Sequence, residues 1–329
     1  MAAMTKLIIS AILLGCAMSL AAADAVPVDT APDFTAPPTI SEADELTEIV
    51  IEPPEPRYVA PTRRDRIGRI WAPVYINGKG PFRLVLDTGA SRSGVTAAVA
   101  SALGMTPDAS ALLSLHSATG TRIVPTIRVD SLLFGDVLIH GSKLPILADA
   151  LGGAEGILGY EGLADRRIFI DFRNDLIVIS RSHGLRAAPG FIAIPFSLDR
   201  GRLLIARVEL GHVIARAVID TGAQYTVANL SLRDALLRHE SAVQLRVDQI
   251  ESVTKDVQAG EGRTAPPIEL GPIVVQTGSL TFADLGIFQF WHLNREPALV
   301  IGMDTLGQLD TLIIDYRRRE LQLRMRPGS

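Results

Sequence analysis

The sequence predicts a mostly β protein made of two copies of one folding unit that meet across a pseudo-twofold axis, with short helices. Three observations carry that expectation. Asp-Thr-Gly-Ala stands twice, each time closing an apolar run: Leu84-Val85-Leu86-Asp87-Thr88-Gly89-Ala90 and Ala217-Val218-Ile219-Asp220-Thr221-Gly222-Ala223. The contexts match without a gap, Gly78 standing opposite Gly211 and Arg83 opposite Arg216, and a repeat of this kind marks two copies of one unit. Val, Ile and Leu recur in short alternating runs broken by Gly, Pro and Asp, which is a strand-and-turn pattern. With 47% hydrophobic residues but only 5% aromatic ones, the cores are aliphatic.

Residues 1–23 read as an export signal: Lys6 precedes an apolar run from Leu7 to Leu20, and small residues Ala21-Ala22-Ala23 follow. The run is short for a transmembrane helix. The single cysteine, Cys16, follows Leu13-Leu14-Gly15, so a lipoprotein signal ending before Cys16 is the alternative. Either form places the protein outside the cytoplasm, in a bacterial periplasm or secreted. Without another cysteine no disulfide is available. Residues 24–61 read as an acidic, proline-rich linker: between Asp24 and Pro56 there are nine acidic residues, no basic ones and seven prolines.

The first half spans 62–186. The gapless match pairs Trp71–Leu86 with Leu204–Ile219, each stretch a strand, a turn at Gly78 or Gly211, and a second strand. Leu112 to Val129 reads as a hairpin with Gly120 near its tip. Ile157-Leu158-Gly159 is an apolar pair running into Gly, followed by a short helix candidate and a strand that opens on Asp171-Phe172-Arg173. The second half, 187–329, repeats this order. Its hairpin lies between Val247 and Leu270, with Gly260 and Gly262 near the tip, and its apolar-Gly element is Val300-Ile301-Gly302, before Asp315-Tyr316-Arg317. The second half is about ten residues longer between its Asp and this Gly, so the halves are not equivalent.

These residues resemble the retropepsin-like aspartic proteases, in particular bacterial chains with two fused retropepsin-like halves, over roughly residues 62–329. Ala90 and Ala223 after the Gly are similar to the retroviral form of the motif. No Tyr stands between Asp87 and Gly159, unlike the first flap of pepsin-like enzymes. The resemblance implies two β-barrel lobes, Asp87 and Asp220 as the catalytic pair, and Thr88, Gly89, Thr221 and Gly222 as the supporting loop. It implies that Thr88 and Thr221 bond across the dyad. It also implies that Gly159 and Gly302 thread beside the catalytic loop of their own half, and that the hairpins at Gly120 and Gly260 are flaps.

Two carboxylates held together cannot both ionise comfortably and share a proton, which suits an endopeptidase that activates one water between them. Other chemistries find no support in the chain. The six His residues are scattered, with no zinc-binding helix, and there is no phosphate loop or dinucleotide fingerprint. No metal and no cofactor is implied. The net charge of −4 gives no footprint for nucleic acid. The expected partner is a peptide or protein substrate, the expected active unit is a monomer with a pseudo-dimeric site, and membrane contact would come only through a lipid on Cys16. Two alternatives stand: a catalytically silent binding module on the same fold, and an enzyme assembled from two chains.

Overall fold

Each half is organised by a hairpin whose second strand delivers an Asp. In the first half, strands Trp71–Ile76 and Lys79–Leu86 turn at Asn77-Gly78, both with positive φ. That conformation is what a tight hairpin turn requires and Asn and Gly tolerate. Strands Leu203–Leu210 and Val213–Ile219 do the same around Gly211. Alternation decides where side chains go. Leu84 and Leu86 enter the main core, as do Ala217 and Ile219. Val85 and Val218, between them, point the other way into two smaller apolar clusters.

In this computed structural model the described residues are 6–9, 13–14, 57–61 and 69–326, except 136, 150, 200–201, 239–245, 253–255 and 277. Six first-half strands close into a barrel in the order Thr121–Phe134, Trp71–Ile76, Lys79–Leu86, Gly156–Leu158, Gly94–Thr96 and Val137–Leu147, the last pairing back onto the first. The second half follows the same route through Leu203–Leu210, Val213–Ile219, Ala298–Ile301 and Val227–Ala228. Its later strands are shorter, and helix Gly286–Phe290 sits between Phe282 and Ala298. That helix accounts for part of the extra length.

The halves share a sheet. Antiparallel strands run in the order Ile192–Asp199, Glu320–Met325, Leu309–Asp315, Arg166–Asp171, Leu176–Arg181 and Arg57–Pro61. First-half Arg166–Asp171 lies directly against second-half Leu309–Asp315. Their inward residues, including Ile168, Ile170, Leu312 and Ile314, belong to one continuous core, so the boundary near residue 186 does not separate two cores.

Two expectations are corrected. Arg57–Pro61, assigned to the linker, is a strand on the edge of the shared sheet; an otherwise open edge offers unpaired backbone groups for it to satisfy. The gapless repeat match slips by one residue. Trp71 pairs with Val85 whereas Ile205 pairs with Val218, because a bulge between Val74 and Ile76 puts an additional residue in the first hairpin. Within the segment read as an export signal, Lys6–Ile9 pairs with Gln249–Ser252 and Leu13–Leu14 with Leu115 and His116. The rest of residues 1–23 and linker residues 24–56 lie outside the described residues. Among the described residues no helix is long and apolar enough to cross a membrane.

Candidate active site

The two Asp-Thr-Gly loops meet between the halves. The main-chain N–H of Asp87 donates to Leu158 O and that of Asp220 to Ile301 O, both at 3.0 Å. Each loop is thus pinned to the apolar-Gly element of its own half, whose strand runs parallel beside it. On the far side of each Gly, Tyr160 N–H donates to Ala90 O and Met303 N–H to Ala223 O, both at 2.9 Å. A Cβ on Gly159 would strike the Arg92 backbone, and one on Gly302 the Tyr225 backbone. Only Gly allows that close passage.

Thr88 and Thr221 tie the loops to each other. Thr88 N–H donates to Thr221 Oγ1 (3.2 Å), and Thr221 N–H to Thr88 Oγ1 (3.1 Å). Each hydroxyl donates onward into the opposite half, Thr88 to Ile219 O (2.8 Å) and Thr221 to Leu86 O (2.7 Å). Four buried bonds therefore fix the approach of the two Asp residues.

Both Asp side chains are fully buried. Asp87 Oδ1 accepts from Gly89 N–H and Ala90 N–H, both at 2.9 Å. Asp220 Oδ1 accepts from Gly222 N–H (2.8 Å) and Ala223 N–H (3.1 Å). The Oδ2 atoms accept from no donor among the described residues. A Cβ on Gly89 would overlap the Asp220 carboxyl and one on Gly222 the Asp87 carboxyl, so each Gly makes room for the opposite Asp. Burial, and then the charge of Asp220, raise Asp87 well above the ordinary carboxylate range. Burial also raises Asp220, to about 6, against the lowering pull of its Gly222 bond and the Asp87 carboxyl. Such a pair holds one proton between two carboxyls over a range of mildly acidic pH.

Residues 72–161 match the aspartyl protease family model, a span that includes Asp87-Thr88-Gly89 and Ile157-Leu158-Gly159. Over this segment the chain is similar to the retropepsin-like aspartyl proteases. Comparison with curated proteins returns no match. Within the matched segment the expected residues Asp87, Thr88, Gly89, Ile157, Leu158 and Gly159 come together, and Asp220, Thr221, Gly222, Val300, Ile301 and Gly302 meet them from the second half.

The flap positions come out unequally. Gly120 is in the turn 117–120 between strands Asp108–His116 and Thr121–Phe134. Gly260 and Gly262, expected near a tip, lie inside strand Val257–Arg263, opposite Asp248 and Arg246. Gly260 marks a close contact instead: a Cβ there would press on Thr281. The first flap also crosses to the second half. Ala118, at its tip, is buried in the cluster of Val218, Ala223, Val300 and Trp291. His116 stacks on Phe290, with ring centroids 4.0 Å apart. Arg122 pairs with Asp256 at 2.6 Å, and Thr119 Oγ1 donates to Asp256 O at 3.1 Å.

Sequence reasoning missed a further repeat. Ser93 and Thr226 occupy the same place after their Asp, and their hydroxyls accept from Gly159 N–H (3.2 Å) and Gly302 N–H (3.1 Å). Glu161 and Asp304 follow two residues after those Gly. Glu161 accepts from Ser93 N–H (3.1 Å), and Asp304 accepts from the Thr226 hydroxyl (2.7 Å). Burial raises both carboxyls. Extending the repeat comparison past Ala90 and Gly159 would have found all four. Among the described residues no three His, Cys, Asp or Glu side chains are grouped to hold a metal ion.

Proposed function

We propose that the protein is an aspartic endopeptidase whose single active site is built from Asp87 and Asp220 of one chain. The observation that supports it is the mutual burial of two carboxyls, each oriented by the N–H groups of its own loop and each with an outer oxygen accepting no donor. The water to be activated lies between those outer oxygens. One carboxyl, ionised, takes a proton from the water as its oxygen attacks the peptide carbonyl carbon. The other, protonated, gives its proton to the carbonyl oxygen. In the tetrahedral diol that results, the first carboxyl returns its proton to the amide nitrogen and the second recovers one from a diol hydroxyl as the C–N bond breaks. No acyl-enzyme forms, and the protonation states at the end equal those at the start. The singly protonated dyad sets the working range, so activity is highest at mildly acidic pH.

Substrate entry requires the first flap to lift from the second half, because Ala118 fills an apolar cluster beside Ala223. Closure over a bound peptide would exclude water from the reaction. The active unit is a monomer, since both halves of the dyad come from one chain, and export by the N-terminal segment places it outside the cytoplasm. The test is incubation of the processed protein with a peptide library across pH, beside Asp87→Asn. Cleavage that survives in the Asn variant, or none at any pH in the parent, would overturn the reading.

A further inference from the structure

The two hairpins expected as flaps each turn their first strand outward as a sheet edge, and one segment of the chain covers both edges. Lys6–Ile9 pairs in parallel with Gln249–Ser252 of the second-half hairpin, and Leu13–Leu14 pairs antiparallel with Leu115 and His116 of the first. No other strand among the described residues lies on those edges. We propose that the leader strands Lys6–Ile9 and Leu13–Leu14 occupy the peptide-binding groove from within the chain, keeping the unprocessed protein silent until the leader is removed. This rests on the reading of the protein as a protease.

The direction of the chain supports it. Asp108–His116 and Arg246–Ser252 are the first strands of corresponding hairpins. The pseudo-twofold axis that relates Asp87 to Asp220 therefore reverses one against the other wherever they run across it. A segment that crosses the axis in a straight line must run parallel to one of them and antiparallel to the other. That is the observed polarity. From Ile9 to Leu13 the chain can span at most about 14 Å, so both edges open on one groove. The hairpins meet there: Thr119 Oγ1 donates to Asp256 O at 3.1 Å, and Arg122 pairs with Asp256.

Register supports it as well. Leu7 stands opposite Ile250, and Leu14 opposite Leu115. Ile250 is buried in the apolar cluster that holds Ala223, and Leu115 in the one that holds Ala90. Those two alanines follow the Gly of each Asp-Thr-Gly loop. The leader is thus one strand away from the cluster of each catalytic loop, and an extended substrate would need the same two edges. Main-chain pairing to an open edge supplies affinity for an extended segment, and the flanking pockets select its side chains. The leader brings an apolar run from Leu7 to Leu20 to an aliphatic cleft. Residues 15–56 lead from it to Arg57–Pro61 on the shared sheet. Fully extended they span up to about 140 Å, so the leader can enter or leave the groove without disturbing that anchor.

The test uses the unprocessed full chain. Amide hydrogen exchange is read first in Asp87→Asn, where the dyad cannot shorten the chain. Adding Leu7→Pro and Ile8→Pro removes two N–H groups and breaks the ladder. Exchange should then quicken at least tenfold in 249–252 and, as the leader lifts, in 113–116, while 84–86 stays unchanged. Activity is read next, with Asp87 intact. The unprocessed parent should cleave a library peptide at least tenfold more slowly, in initial rates, than the form with both prolines. A synthetic peptide of residues 5–15, added to the proline form, should restore the inhibition by raising KM at unchanged kcat, and its reversed sequence should not. Equal exchange in the two chains, equal cleavage by them, or a 5–15 peptide that fails to compete or is cut like any other substrate overturns the proposal. Where the proline form does not fold, the processed protein takes its place in both comparisons. If no form cleaves peptide, the protease reading falls. Exchange, and binding of a fluorescent 5–15 peptide to the proline form, then decide whether the leader fills the groove.

Discussion

The two halves use the same loop for the same task and surround it differently. At the loop the correspondence holds bond for bond: Thr88 mirrors Thr221, Gly89 mirrors Gly222, and Ser93 mirrors Thr226. Away from it the first half closes a six-stranded barrel and sends a flap across to its neighbour. The second half breaks the corresponding strands, adds helix Gly286–Phe290, and supplies the aromatic cluster that receives the flap tip. The lesson is that the chemistry constrains a few residues near the axis to remain equivalent. Residues only one strand away are free to diverge, as helix Gly286–Phe290 of the second half shows.

The largest expected effect tests the equivalence of the loops. Asp87→Asn and Asp220→Asn should each lower peptide cleavage by about a thousandfold, within the range expected for loss of a general acid or base. A variant retaining near-parental activity would show that only one half carries the chemistry. Next come the threonines. Thr88→Val and Thr221→Val each keep the shape and leave a buried N–H and a buried carbonyl without their partners. Each should cost roughly 2–4 kcal/mol in chemical denaturation, and unequal costs would show that the cross-bonding is not shared.

A smaller effect concerns pH. Both Asp carboxyls are raised in the folded state from the ordinary 3.8, so the folded protein holds their protons to higher pH than the unfolded chain does. Their contribution to stability is fully present below about pH 4 and is lost as pH rises through about 6, where Asp220 ionises. Asp220→Asn should therefore stabilise the protein at pH 7 by about 2 kcal/mol and change little at pH 4; equal effects at both pH values would contradict burial as the cause. The smallest effect belongs to the flap. Arg122 and Asp256 form an ion pair that is partly exposed on both sides, so Arg122→Ala should cost less than about 1 kcal/mol, and the difference should shrink in high salt. A large, salt-insensitive loss would mean that the pair, and not Ala118 with its apolar neighbours, holds the first hairpin against the second half.

How much of this was legible in the chain depends on whether a feature repeats. Asp87 and Asp220, their Thr and Gly neighbours, and the two apolar-Gly elements were visible because each occurs twice in like surroundings. Ser93, Thr226, Glu161 and Asp304 obey the same repeat and were there to be read, but the residue types differ between copies. Gly260 was misplaced because Gly serves both turns and close packing. The sequence shows the residue but not the Thr281 side chain pressed against it.

By itself the sequence determined the local apparatus: which strands end in an Asp, which turns take Asn-Gly or Gly, and that two copies exist. Those follow from backbone preferences and alternation over a few neighbouring residues. Tertiary structure alone decided that Arg166–Asp171 would lie against Leu309–Asp315, that Arg57–Pro61 would cover an edge, that Ala118 would enter the second half's cluster, and that Arg69 would be buried with its guanidinium on Leu151 O. Each depends on surfaces brought together from distant parts of the chain, where burial of apolar area and of charge sets the energy. No local pattern encodes which surfaces those will be.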